Sequence, residues 1–434
     1  MRQAVTMADK KMDWTSEQHK AVTHRGRNML VSASAGTGKT AVLSGRCAEI
    51  AKDEKADISV LDMLVLTFTE AAADEMRSRI AGMLRDKYLE AESRRLRRQL
   101  ILLQGSDIST IHSFCKRLIT EYFYKLELDP AFRVIDEDEQ KLLKTEVLEE
   151  TIDWAWEQQG LREAMKDLLR GRDLRTQDGF LEVIVRINGF LDGVVSRENW
   201  FLKAEGMTRE QDPAAGGLGK VQKDIILKKL RHSLDKLRNC RKIYEEQSGH
   251  TEWSEGIEQT HIRPVLQCIE HIENGRWAES EAMIADYKPP RTCKPNDINS
   301  TAAESLHALA KDAVDGVKEL KRLAVLDPEY KEKTAKAAGV QTAAVIEMAK
   351  KFSELYGYAK QEINGLDFAD LEHFALRLLT KDVNAAALEP SDTAVLLRKR
   401  YKHILVDEYQ DVNPVQKAIL TCSAAAIMSL QWVT

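Results

Sequence analysis

Asn28-Met29-Leu30-Val31-Ser32-Ala33-Ser34-Ala35-Gly36-Thr37-Gly38-Lys39-Thr40 is the stretch on which the fold turns. The apolar run from Met29 to Val31 reads as a buried strand, the small residues after it as a loop, and the segment opening at Lys39 as a helix. That order, strand then phosphate loop then helix, is the setting a P-loop requires. Ala33, Ser34, Ala35, Gly36, Thr37 and Gly38 let successive backbone N–H groups close around a β-phosphate, which then lies at the positive end of the helix. Lys39 is placed to reach the β- and γ-phosphates and the Thr40 hydroxyl to ligate Mg²⁺, so ATP with Mg²⁺ is the expected cofactor. Ala33 stands where the simplest form of the motif has glycine. The competing reading is a glycine-containing turn ahead of an ordinary helix.

Far downstream, His403-Ile404-Leu405-Val406-Asp407-Glu408-Tyr409-Gln410-Asp411 is a second apolar strand ending in acid. In a parallel sheet the C-terminal strand ends line the ligand crevice, so Asp407 can face the phosphate loop across a metal ion. Glu408 is then placed to orient or deprotonate a water. Asn413-Pro414 reads as N-cap and first helical residue. Acids after strands are common, so this half is weak alone; paired with the loop it is specific.

The 434 residues suffice for two or three domains with their own cores. With a net charge of −5 there is no global basic field, so any nucleic-acid binding has to come from a local channel. Cysteines 47, 115, 240, 268, 293 and 422 are scattered without a C-x-x-C pair, which suggests neither zinc nor a disulfide framework and fits a reducing, cytoplasmic setting. No apolar run approaches the ~18 residues of a membrane span, so no membrane association is expected.

Trp14-Thr15-Ser16-Glu17-Gln18 precedes the phosphate-loop strand, with Thr15 or Ser16 as helix cap. The Gln18 amide can pair with donor and acceptor of an adenine edge, or be a plain surface glutamine. Met63-Leu64-Val65-Leu66-Thr67-Phe68-Thr69 is another strand turning into a helix, Thr69 its expected cap. There Phe68 either stacks on a base or packs in the core. A third such unit, Asp107 to Cys115, carries Thr110, His112 and Phe114. Hydroxyl-plus-aromatic pairs at these strand ends favour a track for a polymer along one rim. Arg94-Arg95-Leu96-Arg97-Arg98 lies between acidic stretches and reads as a solvated helix face.

From Thr120 to Gly365 the chain turns helical and amphipathic, with breaks at Asp212 to Gly217 and Lys288 to Pro295. Ile226, Leu230, Leu234 and Leu237 form one helical stripe, a helix–helix seam. Trp154 and Trp156 read as core residues. The expected layout is a core over 1–119, a helical insertion over 120–365, a return to the core over 366–420 and an atypical tail over 421–434. From Ala418 onward there is no charged residue.

Taken in order, these segments resemble superfamily 1 DNA helicases of the UvrD/RecB type. The carriers are Trp14 to Gln18, the Ala33 to Thr40 loop, Thr67 to Met76, Thr110 to Phe114 and Asp407 to Asp411. The Ser32 to Thr40 form of the loop, Ile111 to Cys115, the large helical insertion and Leu366-Asp367-Phe368-Ala369-Asp370-Leu371-Glu372 are similar to AddA-type subunits of bacterial AddAB helicase–nucleases. The resemblance implies an α/β fold: an incomplete RecA-like P-loop NTPase sheet domain with an all-helical insertion. It implies that Gln18 contacts adenine, that Lys39 and Thr40 hold phosphate and metal, and that Asp407 and Glu408 serve metal and water. Thr67, Phe68, Thr110 and His112 would touch single-stranded DNA.

By the same resemblance the activity is ATP-dependent DNA unwinding or translocation in double-strand-break repair and recombination. The partners would be single-stranded and duplex DNA and an AddB-type nuclease subunit in a heterodimer. The family continues with a Gly-Asp-x-x-Gln-Ser-Ile-Tyr segment, a second RecA-like domain carrying arginine fingers and, in AddA, a nuclease domain, none of which occurs in these residues. The implication is an N-terminal fragment of little independent activity, from a premature stop, a frameshifted tail or a split subunit. The alternatives are a fragment of a stand-alone UvrD/PcrA-type helicase, a non-catalytic nucleotide-binding remnant, or a P-loop kinase or signalling ATPase that needs no nucleic acid.

Overall fold

The computed structural model describes residues 14–25, 28–34, 36–171, 179–208, 217–248, 252–287, 294–323, 326, 335–423 and 427–432. The expected breaks near 212–217 and 288–295 lie mostly outside them, as does Ala35. The chain forms two compact units. One comprises Met1–Asp153, Leu181–Trp200 and Ala349–Thr434; the other comprises Trp154–Phe180 and Phe201–Met348. The first unit thus takes in several helices that flank the middle of the 120–365 stretch.

Among the described residues seven strands belong to the first unit: β1 (Met29–Ala33), β2 (Met63–Thr67), β3 (Asp107–Thr110), β4 (Arg133–Val134), β5 (Gly365–Leu366), β6 (His403–Val406) and β7 (Ile427–Trp432). Five make one sheet in the order β1-β7-β6-β2-β3, every pairing parallel. β4 and β5 pair separately, bringing together two segments that lie far apart in sequence.

Side chains alternate across a strand, and the two core clusters follow that alternation. Leu64 and Leu66 of β2, with Ile404 and Val406 of β6, share a core with Phe114, Leu376 and Ile419. Met63 and Val65, with Leu405, face Leu43, Met76 and Ile80 on the other side. A strand buried on both faces must read as a continuous apolar run, which is how β2 and β6 read. The uncharged residues 427–432 carry no strand expectation, yet they form β7 between β1 and β6. Freedom from charge is what a central strand of a parallel sheet requires. Ahead of it, the helix Pro414–Ser423 accounts for the first part of the uncharged run.

Register sets the working edge. Thr67 stands beside Thr110 and Leu66 beside Val406. Asp407 N–H donates to Leu66 O at 2.9 Å, extending the ladder by one bond. Strands β2, β3 and β6 therefore end level, and the residues that follow them share one rim.

In the second unit the helix Gly217–Ser248 packs against the helix Ser300–Glu319. Ile226, Leu230, Leu234 and Leu237 are all buried in the resulting seam, as the stripe predicts. At Gly316 an added Cβ would come within 3.2 Å of Ser233 Oγ, so the small residue permits close approach. Trp154 and Trp156 are half-buried rather than fully enclosed.

Candidate nucleotide-binding site and the adjoining rim

β1 delivers the chain into the loop, and the helix Lys39–Lys52 leaves it. Gly36 and Gly38 adopt φ of +75° and +82°, the left-handed region that L side chains avoid. Gly38 is the helix N-cap, so no capping side chain occupies the helix end. A Cβ at Gly36 would meet nothing within 4 Å, leaving open space beside the loop. Thr37 Oγ1 donates to Ser34 O at 2.7 Å and closes the turn. Lys39, 7% exposed, folds back so that Nζ donates to Ala33 O at 3.3 Å. Thr40 is the second helical residue and is half-buried.

The helix Ser16–Thr23 is bolted to this loop. Thr15 and Gln18 form a reciprocal capping box, Thr15 N–H donating to Gln18 Oε1 and Gln18 N–H to Thr15 Oγ1. Gln18 Nε2 then donates to Thr37 O at 3.0 Å. Each end of the amide is thus engaged once, which leaves its second N–H and its second oxygen lone pair to meet an adenine edge. Two further residues seat the helix. Trp14 lies over Gly45, and the buried Arg46 donates from Nη1 to Ala21 O and His24 O at its C-terminal end. A cation there suits the negative end of the helix. Burial, with repulsion from Arg25, pulls the Arg46 guanidinium down to about 10.

Asp407 and Glu408 leave β6 toward the same place. Glu408 takes a left-handed φ of +52°, and its N–H donates to Asp407 Oδ1 at 3.1 Å. Gln410 Nε2 donates to Glu408 Oε2 at 2.6 Å. Burial and then the Glu408 charge push the Asp407 carboxyl up, while Lys39 pulls it down. Burial depresses the Lys39 ammonium, opposed by Glu408 and Asp407. Each side thus feels the other's charge, so the loop lysine and the acidic pair, distant in sequence, share one neighbourhood. The donor set is one ammonium, backbone N–H groups at a helix start and hard oxygens. It fits a polyphosphate with Mg²⁺, an ion that takes few protein ligands and completes its shell with phosphate and water.

Along the rim the expected residues divide. Phe68 is 68% exposed. His112 is half-exposed, its Nε2 2.9 Å from Glu372 Oε1 and its ring 4.7 Å from that of Phe368. Thr67 and Thr110 are buried and their hydroxyls are used internally. Thr67 Oγ1 donates to Thr69 O; Thr110 Oγ1 caps the helix Ile111–Glu121 and donates to Glu70 Oε1. Phe114 corrects the expectation of a rim contact. It is 2% exposed and packs edge-on against Tyr401, because the fourth position of that helix turns inward onto the sheet. Beyond His112 a shallow groove is lined by Ser113, Lys116, Arg117 and Thr120, with Glu121 at its end. Of the basic run, Arg94, Arg97 and Arg98 are exposed as expected, whereas Arg95 is held by Ala51 O, Ile58 O and Asp57.

Residues 14–431 match the model of the UvrD/REP helicase N-terminal domain. The chain belongs to the UvrD/REP helicase family. Among its relatives is the A subunit of the ATP-dependent helicase/nuclease from Moorella thermoacetica, 32% identical over 421 residues, covering 94% of this chain and 30% of the relative. The corresponding protein of Desulforamulus reducens is 33% identical, covering 95% and 34%. That of Geobacillus kaustophilus is 32% identical, covering 94% and 33%. The chain thus spans about a third of the length of the curated relatives it matches.

For this UvrD/REP helicase domain several side chains that the fold brings beside the site are not singled out by the sequence, among them Arg46, Glu70, Lys116, Arg117, Phe368 and Glu372. Arg46 and Glu70 carry no local signal, being single charges in ordinary helices. Phe368 and Glu372 lie within the Leu366 to Glu372 segment that carries the resemblance, but nothing in that segment says what they face. Among the described residues no helix is long and apolar enough to cross a membrane.

Proposed function

We propose that the chain is the ATP-binding, single-strand-binding part of an ATP-driven DNA helicase, acting on duplex DNA in cytoplasmic double-strand-break repair and recombination beside an AddB-type nuclease subunit. The supporting observation is the placement of the phosphate loop with Lys39 after β1 and of Asp407–Glu408 after β6, at the C-terminal edge of one parallel sheet, with open space kept at Gly36. Lys39 exchanges Ala33 O for phosphate oxygens. Thr40 and Asp407 hold the metal, which supplies charge neutralisation on the phosphates when bound. Glu408, held by Gln410, orients the water and takes its proton. Gln18 reads the adenine edge with its second N–H and lone pair while Nε2 stays on Thr37 O, so base contact and loop shape move together. On the rim the exposed rings of Phe68 and Phe368 offer faces to unstacked bases, and Lys116 and Arg117, which line the groove, offer cations to backbone phosphates. The names of the relatives, ATP-dependent helicase/nuclease subunits, accord with this reading.

The test is titration of a fluorescent ATP analogue with Mg²⁺ into the chain and into Lys39→Ala. Loss of charge-assisted bonds worth roughly 1.5–3 kcal/mol should weaken binding about 10- to 100-fold. Unchanged affinity in a folded variant removes the assignment.

A further inference from the structure

We infer that Glu372 is a positioning residue that ties the His112 imidazole on the rim to the segment leaving Asp407–Glu408, so that the nucleotide site and the rim are linked through one buried carboxylate. This rests on the reading of those two places as nucleotide and DNA sites. Glu372 belongs to the helix Phe368–Leu379 and is almost fully enclosed. Its Oε1 receives His112 Nε2 at 2.9 Å and Gln416 Nε2 at 2.6 Å; its Oε2 receives Asn413 Nδ2 at 2.9 Å.

The two sides of this junction have different origins. His112 is the second residue of the helix that follows β3. Asn413 and Gln416 form the reciprocal cap that starts the helix after the acidic motif: Gln416 N–H donates to Asn413 Oδ1 at 2.8 Å and Asn413 N–H to Gln416 Oε1 at 3.2 Å. That cap sets where the chain leaving Asp407 and Glu408 enters its helix.

A buried charge is tolerated only while donors surround it. Burial works against ionisation of Glu372, yet the bonds from His112, Asn413 and Gln416 outweigh it and hold the carboxyl below its usual range. If the His112 side shifts when a strand binds, or the Asn413 side shifts when nucleotide binds, the carboxylate loses a donor that enclosed surroundings do not replace with water. A movement on one side is therefore penalised through the other, and such coupling is reciprocal. A residue needed only for packing has no use for a charge here, since a buried ionic cluster is commonly matched in stability by apolar side chains of similar volume.

The experiment measures both affinities in both backgrounds. A fluorescein-labelled oligo(dT) is titrated with the chain, with and without Mg²⁺ and a non-hydrolysable ATP analogue; a fluorescent nucleotide is titrated with and without unlabelled oligo(dT). For the wild type each ligand should change the other's affinity by the same factor, about 5-fold or more. Glu372→Gln sets an amide against the donors, and Gln416→Met removes one of them. Both should bring that factor to within about twofold of unity while leaving each ligand's affinity alone within about threefold, a split that simple loss of stability does not produce. Should Glu372→Gln fail to fold, Gln416→Met decides. Failure of the wild type to bind either ligand overturns the functional reading itself. Binding of both ligands without mutual effect, or a mutual effect unchanged in the variants, overturns the role of Glu372.

Discussion

Gly45→Ala separates two accounts of how the first helix is held, because they predict opposite signs. Gly45 lies inside the helix Lys39–Lys52 and is buried. Relieving a mid-helix glycine ordinarily stabilises by up to ~1 kcal/mol. Here the added Cβ would fall 2.7 Å from Trp14 Cζ2 and 3.0 Å from Cη2, with Val22 Cγ2 at 3.4 Å. Carbon atoms in contact prefer about 3.5–4.0 Å, so the indole must retreat by roughly 1 Å. Overpacking of this kind costs about 1–3 kcal/mol, leaving a net loss of roughly 0–2 kcal/mol. Displacing Trp14 also pulls on Thr15 and Gln18, and loss of the Gln18–Thr37 bond should weaken adenine-nucleotide binding by about 1 kcal/mol, roughly 5-fold. Urea unfolding and nucleotide titration read both effects. In the Trp14→Ala background the same change should turn favourable, and that difference measures the contact directly. A Gly45→Ala chain that is more stable than wild type, with unaltered nucleotide affinity, refutes the seating of Trp14 on the phosphate-loop helix.

The two rim phenylalanines should behave oppositely. Phe68→Ala should leave the unfolding midpoint in place and cost about 1–3 kcal/mol in single-strand affinity, whereas Phe114→Ala should cost about 3–5 kcal/mol of stability. Loss of stability in the first, or its absence in the second, reverses their placement. Burial, chiefly, depresses the His373 imidazole to about 4, so folding excludes a proton that the unfolded chain binds below about pH 6.5; His373 therefore favours the fold above that value and loses it as pH falls toward 4. Between pH 7 and pH 4 the wild type should lose about 3 kcal/mol more than His373→Leu, after the opposing contribution of Asp192, raised to about 6 by burial, is cancelled by comparing the two proteins. Parallel pH profiles for the pair exclude a neutral buried His373.

What could be read in the sequence was local. The phosphate loop, the acid-tipped strand and the caps at Thr15, Thr69 and Asn413 each rest on a few neighbouring residues whose backbone chemistry admits few alternatives. Phe68 and Phe114 look alike as sequence, each an aromatic just past a strand. One lies in the turn before its helix; the other is a full turn inside a helix, where direction depends on what the helix packs against. Contacts between distant segments left no pattern at all. Glu372 and His112, or Arg46 and Ala21, meet only because elements from separate parts of the chain are stacked. β7 escaped for the opposite reason: six uncharged residues suit a buried helix or a buried strand equally well, and only the vacancy between β1 and β6 decides.

That vacancy has a consequence in time. Among the described residues, β7 is the only strand hydrogen-bonded to β1, so the strand that carries the phosphate loop waits for a partner made about 400 residues later. At roughly 5–20 residues per second, synthesis leaves an interval of about 20–80 s. Throughout it Met29–Ala33 has no strand neighbour, and an unpaired strand edge is a template for the wrong chain. The helix Lys39–Lys52, by contrast, can already settle against the helix Glu70–Ala91, so the loop is tethered on one side long before it is framed on the other. The framing of the loop then arrives late, once β7 is in place beside β1. A nascent-chain experiment with stalled ribosomes should find protease-resistant helices well before it finds nucleotide-dependent protection of the loop.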